Sequence, residues 1–204
     1  MTDPTASHAR IERRTRLLAA AAVTLQGLSD VLAPLGERFA AADHELYLVG
    51  GSVRDAVLGR LGNDLDFTTD ARPAEIVRLL TGWVDAIWDT GIEFGTISAR
   101  KGDVMIEITT FRADQYDRLG RNPDVTFGDS LDADLVRRDF TMNAMAVAIG
   151  PSGPAEFHDP LDGMTALLAG IIDTPATPQE SFNDDPLRML RAVRFVSQLG
   201  FRLA

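Results

Sequence analysis

The stretch Leu48-Val49-Gly50-Gly51-Ser52-Val53-Arg54-Asp55, followed shortly by Asp64-Leu65-Asp66-Phe67-Thr68-Thr69, decides how this chain is read. The apolar run from Leu46 to Val49 predicts a buried strand, and Gly50-Gly51 lets the backbone turn sharply into a short helix ending at Gly59. A helix N-terminus beside glycines is an anion site, because bare N–H groups can come close to a phosphate. In the second part, side chains alternate across a strand, so Asp64 and Asp66 share one face while Leu65 and Phe67 point into the core. Two carboxylates on one face repel unless a cation lies between them. Each half alone also has a plainer reading, a tight turn for the glycines and a solvated edge for the Asp-x-Asp. In this order and at this separation, the two halves together suit nucleotidyl transfer.

Composition sets the outer bounds. With 204 residues, 45% of them hydrophobic, the chain can bury a substantial core, as one large domain or one domain plus part of another. There is no cysteine, which excludes disulfides and thiolate metal sites. No apolar stretch approaches membrane-spanning length, and Met1-Thr2-Asp3-Pro4 lacks a signal-peptide pattern, so no membrane partner is expected and the cytoplasm is the expected compartment. Twenty basic residues against thirty acidic ones give a net charge of −10, so any nucleic-acid contact must be local. Candidate patches are Arg10, Arg13, Arg14 and Arg16, which also fit a solvated helix face, and Arg188, Arg191 and Arg194.

The order of elements predicts an α/β (α+β) fold, a mixed sheet flanked by helices. Residues 1–44 read as an N-terminal helical extension, helical from about Ile11 to Ala41 and interrupted near Pro34-Leu35-Gly36. After the Asp-x-Asp strand, Pro73 to Leu80 reads as a helix with proline in its first turn and Gly82 just past its end. Short strands follow at Ala86 to Trp88, Thr96 to Ala99 and Val104 to Thr109, the last two joined by a turn at Lys101-Gly102-Asp103. Arg112 to Ser130 reads as a long polar loop, a length that is usually functional or disordered. Glu107 is the only charged side chain in its strand. It fits an edge strand, or a third carboxylate beside Asp64 and Asp66 in an all-oxygen site that favours magnesium.

Four motifs in order, Leu48 to Asp55 with Asp64 to Thr69, Glu107-Ile-Thr-Thr-Phe-Arg112, Arg137-Arg138-Asp139-Phe140-Thr141-Met142-Asn143-Ala144-Met145 and Asp184-Asp185-Pro186-Leu187-Arg188-Met189-Leu190-Arg191-Ala192, resemble those of the bacterial-type (class II) tRNA nucleotidyltransferase and poly(A) polymerase family. The resemblance runs from about Glu45 to Phe201. It implies a polymerase-β-like nucleotidyltransferase head over 45–172 and the start of a helical neck over 173–204, with the helical parts that grip tRNA lying beyond this chain. It implies addition of CMP and AMP from CTP and ATP to a tRNA 3′ end, with Asp64, Asp66 and Glu107 as catalytic Mg²⁺ ligands. Gly50, Gly51, Ser52 and Arg54 would contact triphosphate, Arg137, Arg138 and Asp139 would select the ribonucleotide, and Asn143 would also bind the nucleotide. Asp89 to Ile97 is more similar to members that add CCA. Poly(A), CC-only or A-only addition, and a nucleotide-binding regulator without catalysis, remain open alternatives.

The segment from Asp184 to Leu199 predicts one helix, with Leu187, Leu190, Val193 and Val196 as an apolar stripe and Asp185, Arg188 and Arg191 on another side. An intrahelical Asp185–Arg188 salt bridge is the ordinary reading. By the resemblance, the same two side chains serve the incoming base, with Arg191 and Arg194 also binding the nucleotide: the exocyclic amine and ring acceptor of cytosine or adenine match a carboxylate and a guanidinium. Phe157 to Gly163 fits a turn and helix N-cap, with His158 structural.

Overall fold

The computed structural model describes residues 4–112, 127, 128 and 130–204. Two N-terminal helices, α1 (Pro4–Gln26) and α2 (Ser29–Ala40), meet at a bend of 84°. The break lies at Gly27-Leu28, whereas the sequence suggests one near Pro34, which sits inside α2. Proline in a helix interior costs about 3 kcal/mol. Leu32, Leu35 and Phe39 on the same helix are wholly buried, and at about 1.5–3 kcal/mol each their burial outweighs that cost.

The chain then runs through β1 (Leu46–Val49), α3 (Gly50–Val57), β2 (Asp64–Thr69), α4 (Pro73–Leu80), β3 (Ala86–Trp88), β4 (Thr96–Lys101) and β5 (Val104–Thr110). After α5 (Leu131–Val136) come β6 (Ala146–Gly150), β7 (Gly153–His158), α6 (Gly163–Ala169), β8 (Ile171–Ile172), α7 (Pro178–Asp184), α8 (Leu187–Leu199) and β9 (Arg202–Leu203). Seven strands form a mixed sheet in the order β3-β4-β5-β2-β1-β6-β7, and β8 pairs with β9 apart from it. Only β2 and β5 are parallel within the large sheet. Their register sets Asp66 opposite Glu107 and Asp64 opposite Met105.

Alternation gives the sheet two unlike faces. Leu48, Leu65, Phe67, Ile97, Ile106 and Ile108 point to the side packed by α1–α4 and form the main core. The opposite face carries Asp64, Asp66 and Glu107, and α5 covers only part of it, where Leu131 and Leu135 pack on Val49, Phe111 and Ala146. That half-covered face is the cleft. No single helix among the described residues is long and apolar enough to cross a membrane.

Two features of the C-terminal part differ from the sequence expectation. Asp184 to Leu199 is two helices, because Pro186 forces Asp185 out of the helical region to φ −143°, ψ 101°. The aliphatic stripe of α8 faces outward, with Leu187, Leu190 and Val193 each more than 60% exposed, while Arg188, Ala192 and Phe195 turn inward. Residues 113–126 and 129 of the long polar loop lie outside the described residues.

Candidate active site

The cleft has a volume of about 680 Å³, and both carboxylates and guanidiniums line it. Asp66 and Glu107 stand side by side on the sheet, and Arg54, Arg112, Arg137, Arg138, Arg191 and Arg194 line the same cleft. Gly50 and Gly51 form the floor at the start of α3, whose first turn has no side-chain cap. Gly50 has φ +65°, and a Cβ there would lie 3.0 Å from an Arg138 nitrogen. The left-handed backbone at the turn therefore favours glycine, and a side chain there would also crowd Arg138.

Asp66 opens to the cleft, yet enough protein surrounds it that burial pushes its carboxyl pKa up, and repulsion from Glu107 and Asp64 adds to this against the pull of Arg138 and Arg54. Among the described residues no three metal-ligating side chains form a ready-made cage. A magnesium ion keeps several waters and is normally held by one or two carboxylates plus substrate phosphates. The adjacent Asp66–Glu107 pair, with Asp64 one step along β2, fits that donor set and leaves a repulsion for a cation to relieve.

The cationic wall is held by a residue outside the sequence-predicted set. Asp134, on α5 and wholly buried, accepts from Arg137 at 3.1 Å and from Arg138 at 2.8 Å. Burial pushes its carboxyl up, but the two guanidinium charges and their hydrogen bonds outweigh this and hold it below the usual carboxylate range. Arg138 still has a buried Nε with no hydrogen-bond partner among the described residues, a donor suited to an anion. The i, i+3 and i, i+4 spacing of Asp134 to the two arginines was visible in the sequence.

A second network ties α3 to α8. Arg54 clasps Asp55 and donates to the Asn143 Oδ1 at 2.6 Å. Asn143 Nδ2 donates to Asp139 at 2.9 Å, and Arg191 Nε donates to the other Asp139 oxygen at 2.7 Å. Phe195 lies beneath Arg54, Arg191 and Arg194, with the guanidinium carbons 5.0, 5.9 and 5.1 Å from its ring centre. The sequence reading missed Phe195 because it lies on the less aliphatic stripe of α8.

Four sequence-predicted residues stand away from the cleft wall: Asp64, which lines a smaller neighbouring cavity together with Asp66 and Glu107, and Ser52, Asp185 and Arg188. Ser52, expected to contact triphosphate, accepts from the Asp66 N–H at 2.9 Å and donates to the Asp64 carbonyl at 3.3 Å, so it braces the strand that carries the carboxylates. Asp185 accepts from the Leu187 N–H, and Arg188 donates to Ser181 Oγ at 2.8 Å and to the Arg137 carbonyl at 2.7 Å. The Asp185–Arg188 salt bridge is therefore replaced by a buried clamp, and the expected base template is not assembled in this arrangement.

A family model described as the Poly A polymerase head domain matches residues 46–173, more than half of the chain. The chain belongs to the poly(A) polymerase head-domain family. This head domain is 46% identical over 162 residues to a CCA-adding enzyme of Anoxybacillus flavithermus, covering 79% of this chain and 39% of that protein. It superposes on the Bacillus stearothermophilus CCA-adding enzyme in complex with CTP with a TM-score of 0.70 at 38% identity, over 83% of this chain and 39% of that one. A tRNA nucleotidyltransferase complexed with a primer tRNA and an incoming ATP analog gives a TM-score of 0.68 at 32% identity, over 83% and 46% of the two chains. The mixed sheet and its helices thus form a nucleotidyltransferase head, and the chain spans about two fifths of the length of the curated relatives it matches.

Proposed function

We propose that this head transfers CMP and AMP from CTP and ATP to the 3′ end of tRNA, completing or repairing a CCA terminus in the cytoplasm. The observation that carries the reading is the register of Asp66 with Glu107 in a cleft that guanidinium groups also line. Such a cleft separates the place where a triphosphate's charge is held from the place where its α-phosphorus reacts. The likeness to relatives named as CCA-adding enzymes supports the choice of substrate.

In the proposed reaction the 3′-oxygen of the RNA forms a bond to the α-phosphorus, and the bond from that phosphorus to the bridging oxygen breaks. Pyrophosphate departs with the electron pair, and the hydroxyl proton passes to solvent. Arg138, with Gly50 and Gly51 beneath it, holds the β- and γ-phosphates and offsets the charge that builds on the leaving group. Asp139 and Asn143 face the ribose, and Arg191, Arg194 and Phe195 close the base side. Asp66 and Glu107, with Asp64, would hold Mg²⁺, which when bound supplies charge stabilisation and activation of the attacking hydroxyl. A base-selecting role for Asp185 and Arg188 requires both side chains to leave their present partners when nucleotide binds.

The test is to incubate the full-length polypeptide with tRNA lacking its 3′ end and each nucleoside triphosphate in turn, then sequence the product ends. Two C residues followed by one A are expected. Runs of A point to poly(A) synthesis, and no extension at all overturns the reading in favour of a regulator.

A further inference from the structure

Asp66 and Glu107 line two cavities. One is the cleft described above; the other, of about 160 Å³, is lined also by Asp64, Ser98 and Met105 and by no arginine. Displacement at phosphorus places the attacking and leaving oxygens roughly in line on opposite sides of the reacting atom. The guanidinium groups line the larger cavity and suit the leaving pyrophosphate, so the attacking hydroxyl belongs in the smaller one.

Strand register extends that cavity into a surface. Trp88 on β3 is opposite Ser98 on β4, Ser98 is opposite Glu107 on β5, and Glu107 is opposite Asp66. One step along, Ala86, Arg100, Met105 and Asp64 form a second row on the same face. At one strand spacing per step, Trp88 lies about 14 Å from Asp66 along its row. Trp88 is 41% exposed and Met105 36%, and the exposed Arg100 side chain makes no hydrogen bond or ion pair among the described residues. An unpaired cation and an exposed indole on the open face of a sheet are the elements of a single-strand platform, one for phosphate and one for base stacking.

Building on the function proposed above, we propose that the open face of β3, β4 and β5 receives the 3′-terminal segment of the RNA. The terminal ribose, uncharged, lies in the small cavity against Asp64, Asp66, Glu107 and Ser98. The first phosphate lies back from these carboxylates, at Arg100, and a base stacks on Trp88 beside Met105. This order explains how an RNA end reaches a carboxylate-rich spot: the carboxylates meet hydroxyls, and the cation meets the phosphate.

The test uses the full-length polypeptide with Trp88→Ala, Trp88→Phe, Arg100→Ala and Arg100→Glu, measuring transfer to a tRNA ending one nucleotide short. The alanine variants should raise KM for the RNA about tenfold, the order expected for loss of one base stack or phosphate contact. KM for the nucleoside triphosphate and the melting temperature should stay at the parent's values. Trp88→Phe should recover most of the loss, and Arg100→Glu should exceed Arg100→Ala at low salt. If the parent extends RNA while the alanine variants keep its RNA KM, this platform is wrong and the function stands. If the parent extends no RNA 3′ end, the function falls and the platform with it.

Discussion

Replacing Asp134 by alanine should damage the fold and the nucleotide site together. Its carboxylate is wholly buried and accepts two charge-assisted hydrogen bonds, at 2.8 Å from Arg138 and 3.1 Å from Arg137, with the Arg112 N–H at 3.3 Å. Removing one partner of a buried ion pair leaves the other charges uncompensated and costs about 3–5 kcal/mol. A chain of this length loses roughly 2–4 °C in melting temperature per kcal/mol, so a drop of roughly 6–20 °C is expected. Asp134→Asn keeps the shape and should fall between. The carboxyl's folded pKa lies below its unfolded value, so the stability it gives is present above the ordinary carboxylate range and fades as pH falls through the folded value. The asparagine variant should therefore lose less stability than the parent on acidification. Calorimetry should also show weaker binding of CTP and ATP, since both guanidiniums lose their anchor. An alanine variant melting within about 2 °C of the parent, with nucleotide affinity intact, would refute the reasoning.

Asp66→Asn should abolish transfer, while in metal-free buffer at neutral pH its melt lies at or above the parent's. The native site raises this carboxyl's pKa, so its ionised form opposes folding as pH rises, and a differential scan with a transfer assay checks both halves. Arg188→Ala should cost about 1.5–3 kcal/mol in a denaturant titration, more than a surface salt bridge, because a charged group leaves its buried Ser181 and Arg137 partners. If Arg188 also reads the base when nucleotide binds, the same variant relaxes discrimination against U and G in a four-nucleotide incorporation assay. Gly163→Ala should destabilise by about 1–3 kcal/mol or more, since the new methyl would sit 2.1 Å from the Thr141 carbonyl oxygen; thermal melts measure this.

The placing of the glycine turn and the carboxylates was legible in the sequence, and the supports around them were less so. The glycine turn, the Asp-x-Asp strand and the placing of Glu107 beside it all rest on period-two alternation and on the freedom of glycine. Both are local properties, and the register of Asp66 with Glu107 agrees with them. The supports depend on tertiary contacts. On α8 two stripes compete, and aliphatic content favours Leu187, Leu190 and Val193, yet the helix buries Arg188, Ala192 and Phe195 because their partners lie on the head. Pro34 looks like a breaker only until Leu32, Leu35 and Phe39 are seen to be buried around it. Pro186, by contrast, breaks its helix at a point where no comparable burial opposes it. The hairpin of β6 and β7 escaped notice, since its outer strand alternates weakly between Gly153 and His158.

Asn143 stands between a guanidinium and a carboxylate, taking a hydrogen bond from Arg54 on one side and giving one to Asp139 on the other. An amide has one end that only accepts and one that only donates, so it can face opposite charges at once. Aspartate there would satisfy Arg54 and repel Asp139, and leucine would fill the space and answer neither. The amide works as an adaptor between two polarities, and its orientation is dictated by its neighbours. Arg54 beside the glycine turn and Arg191 on α8 are thereby linked through a group that carries no charge of its own.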